Sequence, residues 1–328
     1  MSTATAAAEL RPPSSISGIW FALAVTAAAL ALGPAAGLPS FVQALVIEIL
    51  IFSILALSLD ILLGHTGLVS FGHAAFFGVA GYGLGIAAGR LTPELALTVP
   101  VGLASAVLLA IPLGWLSIRL SGFYFLMITF AFAQMVYVVA FRWKWLTGGS
   151  DGLLIPSAMF FGLPVLRSRE ALYYTTLMAF VLSCIGMISI LRSQFGRALT
   201  GIRENTPRMR ALGYNVRRYK LIAFVVAAGF GGVAGVLNSQ FNLFIAPESV
   251  HWTQSALVLV MVLIGGSGYF LGPIIGATIV ILLQHWLSSY TEYWGLVLGL
   301  LFIALISGAR EGIAGIGAQL WSRVGAKQ

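Results

Sequence analysis

Five ionisable side chains lie within apolar stretches of the sequence and are its first candidates for chemistry: Glu48, Asp60, His65, His73 and His285. Catalysis or metal binding needs such groups to converge. Glu48 and Asp60 are twelve residues apart, roughly 120° around a helix of 3.6 residues per turn, so they form no carboxylate pair on one face. His65 and His73 are eight apart, and no H-E-x-x-H or Cys/His cluster occurs. The lone Cys184 has no partner for a disulfide or a thiolate site. No catalytic residue and no metal site is expected. A buried ion is costly unless paired, so Glu48 should be either functional or hydrogen-bonded inside a bundle. Asp60, near the end of its stretch, is expected to reach headgroups or water. The chain has no G-x-x-x-x-G-K-[ST] loop, so it is not expected to bind ATP itself, and no cofactor is expected. Gly81, Gly83 and Gly85 sit in an apolar run with no strand before them, which excludes a dinucleotide fold.

The element that must position these side chains is a membrane helix. Of 328 residues 59% are hydrophobic and 9% charged, where a soluble domain carries roughly 25% charged. The mean hydropathy is +0.98. A span needs about 20 mainly apolar residues, and the sequence divides into spans near 18–38, 41–63, 67–89, 95–118, 122–141, 171–191, 221–245, 254–270, 273–288 and 294–309. The expected fold is an all-α polytopic bundle of about ten transmembrane helices forming one domain over 1–328. Nine would result if the stretch from Gly265 to Gly272 only interrupted a single helix. The segment 18–38 is read as a retained helix, because it is long for a signal peptide, lacks a strongly basic leader and is followed by more spans.

Orientation follows from basic residues, which stay on the cytoplasmic side in short loops. Between 192 and 220 lie Arg192, Arg197, Arg203, Arg208, Arg210, Arg217, Arg218 and Lys220 against Glu204 alone. That loop is expected inside. With ten spans both tails, 1–17 and 310–328, fall inside as well, and 142–170 falls outside. The loop lacks interleaved aromatics for stacking bases and lies between spans, so no nucleic acid is expected as a partner.

The same loop has internal structure beyond a topology signal. Phe195, Leu199 and Ile202 recur at i, i+4 and i+7. Asn205 or Thr206 can cap a second short helix, Pro207 suits its first position, Gly213 suits a left-handed stop after Leu212, and Asn215 can cap the next span. A capped helix held between two spans is a lever for an attached soluble partner. Small residues at Gly81, Gly85 and Gly89, at Ala227, Gly231 and Gly235, and at Gly268, Gly272 and Gly276 mark expected close helix crossings. The hydrogen-bonding side chains Ser70, His73, Thr129 and Gln134, in otherwise apolar helices, are candidates to line a solute path.

Phe195-Gly-Arg-Ala-Leu-Thr-Gly-Ile-Arg-Glu-Asn and Ala211-Leu-Gly-Tyr-Asn-Val-Arg-Arg-Tyr-Lys-Leu resemble the coupling region of branched-chain amino acid ABC permeases of the LivM type. So do Gly64-His-Thr-Gly-Leu-Val-Ser-Phe-Gly-His, Thr129-Phe-Ala-Phe-Ala-Gln-Met, Thr147-Gly-Gly-Ser-Asp-Gly-Leu, Ala246-Pro-Glu-Ser-Val-His-Trp and Gly265-Gly-Ser-Gly-Tyr-Phe-Leu-Gly-Pro. The resemblance runs from about 41 to 310. Gln134 departs from it, standing where many relatives carry Glu, and Leu154-Ile-Pro lacks a glycine often seen there. The resemblance implies an importer in the bacterial inner membrane, in contact with membrane lipid, that combines this chain, a second related permease, two cytoplasmic ATPases that bind the ATP, and a periplasmic solute-binding protein. It assigns ATPase coupling to the segment holding Arg203, Glu204, Pro207, Leu212 and Gly213. Relatives carry branched-chain amino acids, and similar proteins serve urea, short amides or aromatic acids. From the residues alone an ion-coupled secondary transporter stays open, because broken helices form midplane sites there too. A ribose-type sugar permease stays open within the ABC class, and an intramembrane enzyme is the weakest alternative.

Overall fold

The computed structural model describes residues 37, 39–159, 168–290, 293, 295–296, 299–300, 302 and 312–315. Most of the expected spans 18–38 and 294–309 and of both tails lies outside these residues. The helices are α1 (Ser40–Thr66), α2 (His73–Arg90), α3 (Leu95–Ser117), α4 (Phe123–Arg142), the single turn α5 (Lys144–Thr147), α6 (Arg169–Arg192), α7 (Gln194–Glu204), α8 (Thr206–Ala211), α9 (Val216–Asn242), α10 (Trp252–Gly265) and α11 (Gly272–Ser288). One two-residue pair, β1 (Leu153–Leu154) with β2 (Phe244–Ile245), is antiparallel with Leu153 opposite Ile245. Among the described residues five helices, α1, α3, α4, α6 and α9, are long and apolar enough to cross a membrane. This is an all-α membrane protein.

The centre is α1, buried without interruption from Leu50 to Leu62 and packed on by α6, α9, α10 and α11. It ends where Gly67 turns left-handed at φ 71°, and the N–H groups of Gly67 and Leu68 both return to the Leu62 carbonyl, the latter at 3.0 Å. The sequence reading begins a span at 67, but α2 begins at His73. The six residues between are held by side chains: Thr129 Oγ1 accepts from the Phe71 N–H at 3.2 Å and Ser70 Oγ from the Gly72 N–H at 3.2 Å. Backbone groups away from water must find such partners, and here one comes from within the segment and one from α4.

The apolar run after 251 is two helices, not one long helix with an interruption. A methyl group on Gly276 would coincide with the Met261 carbonyl, and one on Gly265 with the Gly272 carbonyl, so α10 and α11 lie antiparallel in backbone contact. Gly81 against Ser239 and Gly235 against the Phe77 carbonyl set the α2–α9 crossing in the same way. Two expected crossing glycines behave differently. Gly89 has nothing near its Cβ position, because it lies one residue from the end of α2, and Gly268, at φ 81°, belongs to the α10–α11 turn.

Helix ends sort into two layers. One holds the Arg90 guanidinium on the Trp145 carbonyl, Arg169 on the Ser40 carbonyl, and the β1–β2 pair. The other holds the ends of α1 and α6, the pair α7–α8, and the α10–α11 turn, joined by Arg203 on Gly64 and Asp60 on Gly268. The basic 192–220 loop thus shares a layer with the broken end of α1.

Candidate functional site

Two stretches of non-helical backbone enter the bundle, one from each layer. The inner one is 67–72. Beyond it the His73 ring, fully buried, places Nε2 2.7 Å from Ser58 Oγ, while Nδ1 has no hydrogen-bond partner among the described residues. Thr129 donates to the Leu126 carbonyl at 2.9 Å as it accepts from Phe71. Ser70, His73 and Thr129 are therefore brought together around this break and enclosed by protein. Gln134, about 1.4 turns above Thr129 on α4, remains half-buried.

The outer stretch is 243–251. Leu243 turns left-handed at φ 51° and stops α9, Ile245 pairs with Leu153, and the 3₁₀ turn Pro247–Val250 leads to α10. This stretch runs back down α2: Ile245 lies by Gly81 and Gly85, Ser249 and Val250 by Gly78, and Ser255 Oγ accepts from the Ala74 N–H at 2.9 Å. Where the two breaks approach, half-buried rings adjoin one another. Trp252 lies 6.5 Å from Phe71 and 5.5 Å from Phe130, and His251 lies 4.7 Å from Tyr137. Sequence reasoning singled out none of Tyr137, Glu248, His251 and Trp252 as site residues. Pro247 within a polar interruption was the available signal, and it does not reveal which helix the segment descends.

In the layer that holds the 192–220 loop, Leu199 and Ile202 are buried and Phe195 stacks on Tyr219 at 5.6 Å, so the apolar stripe seats α7 on the bundle. Asn205 Oδ1 accepts from the Arg208 N–H at 2.9 Å, Gly213 is left-handed at φ 84°, and Asn215 Oδ1 accepts from the Arg218 N–H at 3.2 Å. Between α7 and α8 opens a cleft of about 390 Å³ lined by Gln194, Arg197, Ala198, Met209, Leu212 and Tyr214. Arg203 reaches from α7 to the Gly64 carbonyl. One turn earlier on α1, Asp60 is 2% exposed and accepts from the Gly268 N–H at 2.9 Å. The expectation that Asp60 reaches water or headgroups is overturned: the α10–α11 turn covers it. Glu48, at the opposite end of α1, meets His285 Nε2 at 2.7 Å, as expected of a hydrogen-bonded bundle residue. Among the described residues no group of three metal-ligating side chains occurs.

A helical membrane bundle with breaks entering from both faces and a capped helix pair between two of its long helices belongs among multi-pass transport permeases. The family described as "Branched-chain amino acid transport system / permease component" matches residues 41–306, and the chain belongs to it. It is 29% identical over 287 residues to the high-affinity branched-chain amino acid transport system permease protein LivM of Escherichia coli, covering 80% of this chain and 68% of that protein. It is 25% identical over 284 residues to LivH of Salmonella typhimurium, covering 80% and 91%. A 127-residue stretch is 26% identical to the tyrosine transport system permease protein of Clostridioides difficile, covering 38% and 42%. No solved structure matches the chain.

Proposed function

We propose that this chain is one membrane-spanning subunit of an ATP-driven importer for branched-chain amino acids or a related small solute, aromatic amino acids included. Ten spans, with both termini and the 192–220 loop inside, complete the bundle in the bacterial inner membrane. A second related permease pairs with it, two cytoplasmic ATPases drive it and a periplasmic binding protein delivers solute. The observation that carries the reading is the α7–α8 pair. It is capped at each end, open as a cleft toward the cytoplasm and tied by Arg203 to the broken end of α1. ATPases seated there, against Arg203, Glu204, Pro207, Leu212 and Gly213, would move α6, α9 and α1 together. The solute path runs along the two breaks: Ser70, His73 and Thr129 shape the inner one and Gln134 faces the opening.

The test is uptake of labelled leucine, isoleucine, valine and tyrosine by the five-protein-type assembly in proteoliposomes, with ATP maintained inside and an uncoupler present. Uptake that needs ATP and survives the uncoupler is expected. Uptake abolished by the uncoupler while ATP persists would identify an ion-coupled transporter instead.

A further inference from the structure

From Gly85 to Ala74 the chain following α9 descends eleven residues of α2, about 16 Å of helix rise. The upper part of that descent is non-helical. Such backbone is tolerated at membrane depth where protein covers it or where it lines a water-filled cavity. Glu248 decides between these. It is exposed on the 3₁₀ turn and forms no ion pair with any described residue. It also lies within electrostatic reach of Tyr82, whose buried hydroxyl has no hydrogen-bond partner among the described residues. A bare carboxylate against lipid is strongly disfavoured, so the exposed face of this turn meets water or polar groups and not lipid. Three residues on, the His251 N–H bonds the Glu248 carbonyl at 3.1 Å, fixing the ring that meets Tyr137 relative to the turn. Phe130, Gln134 and Tyr137 recur at i, i+4 and i+7 along α4, so the Gln134 amide shares the face on which the other two meet Trp252 and His251.

We propose that Glu248, Gln134 and the ring wall of Phe130, Tyr137, His251 and Trp252 form this chain's part of a binding site for zwitterionic amino acids with apolar side chains. The Glu248 carboxylate receives the solute ammonium, the Gln134 amide donates to its carboxylate, and the rings receive its side chain, with a cation–π contribution where the ammonium passes them. The site rests on the importer reading given above.

The assembled transporter in proteoliposomes, with leucine and tyrosine as probes, tests it. Glu248→Gln should lower uptake of both about tenfold or more, as loss of one partner of a desolvated charge pair does. Glu248→Asp should restore a large part of it. Stimulation of ATP hydrolysis by the loaded binding protein should persist in both variants, which a folding or coupling defect would not allow. Trp252→Leu should change the ratio of leucine to tyrosine uptake. Gln134→Cys should react with a water-soluble thiol reagent, and leucine should slow that reaction. Unchanged uptake in Glu248→Gln, or labelling of Gln134→Cys that leucine does not affect, would overturn the site while leaving the importer reading intact. Should Glu248→Gln fail to assemble, the protection pattern at Gln134→Cys decides. Failure of the unmodified transporter to import either probe with ATP would remove the importer reading, and the site with it.

Discussion

A methyl group at position 64 has no room: it would coincide with Asp60 Oδ1 and lie 2.6 Å from the Gly268 nitrogen. Gly64→Ala should therefore separate Asp60 from the α10–α11 turn, leaving a buried acceptor and a buried N–H unmatched at a cost of about 1–3 kcal/mol. A lower midpoint in thermal unfolding of the purified subunit is expected, with Asp60→Ala similar and Asp60→Asn milder because the amide oxygen still accepts. Equal midpoints for Asp60→Asn and Asp60→Ala would show that this bond does not hold the turn. Glu48→Gln is expected to fold and to leave ATP-dependent uptake largely intact, since an amide oxygen can still take the hydrogen bond from His285. Loss of uptake with normal assembly would make Glu48 functional. Glu48 shows what single residues disclose: a carboxylate deep in an apolar run announces a partner. Asp60 announces one too, but its partner is 208 residues away, and no local pattern points to Gly268.

Short elements were the most legible, because their signals are short-range. Asn205, Gly213 and Asn215 act through bonds to residues three positions away and occupy the places their chemistry suggests, while Pro207, read for the first helical position, stands at the second behind Thr206, still within the first turn. The start of α2 was misread by six residues for the opposite reason. Hydropathy alone runs on through 67–72, and the side chains that hold the non-helical form include the Thr129 hydroxyl, 58 residues on, which no local pattern discloses. The expected effect of disturbing α8 follows from the caps. Gly213→Val places a β-branched side chain at φ 84°, where it is strongly disfavoured, and should misalign the helix stop. Glu204→Lys inverts the single negative charge of the loop. Both variants are expected to insert and pair with the second permease while losing ATPase co-purification or solute-stimulated hydrolysis. Full retention of both properties in both variants would leave α7–α8 as a topology signal alone.

At the scale of the whole molecule the apolar segments were legible as spans because hydropathy is averaged over many residues, whereas the breaks in the bundle depend on how the helices meet. The breaks from the two faces converge between α2, α4 and α10, and the α7–α8 pair is bonded to the foot of α1, so a run of direct contacts links the 192–220 loop to the break at 67–72. That arrangement has a sidedness that labelling can check. Leu212, on the α7–α8 side, is 66% exposed and Trp145, in the opposite layer, is 74% exposed. The native thiol, Cys184, is fully buried, so it contributes little background. In intact right-side-out vesicles an impermeant thiol reagent is expected to label Trp145→Cys and to spare Leu212→Cys, with the pattern reversed in inside-out vesicles. The positive-inside asymmetry of the 192–220 loop requires that sign. Labelling of Leu212→Cys from the outside would invert the topology, expose the α7–α8 cleft to the periplasm and leave no surface on this loop for a cytoplasmic ATPase.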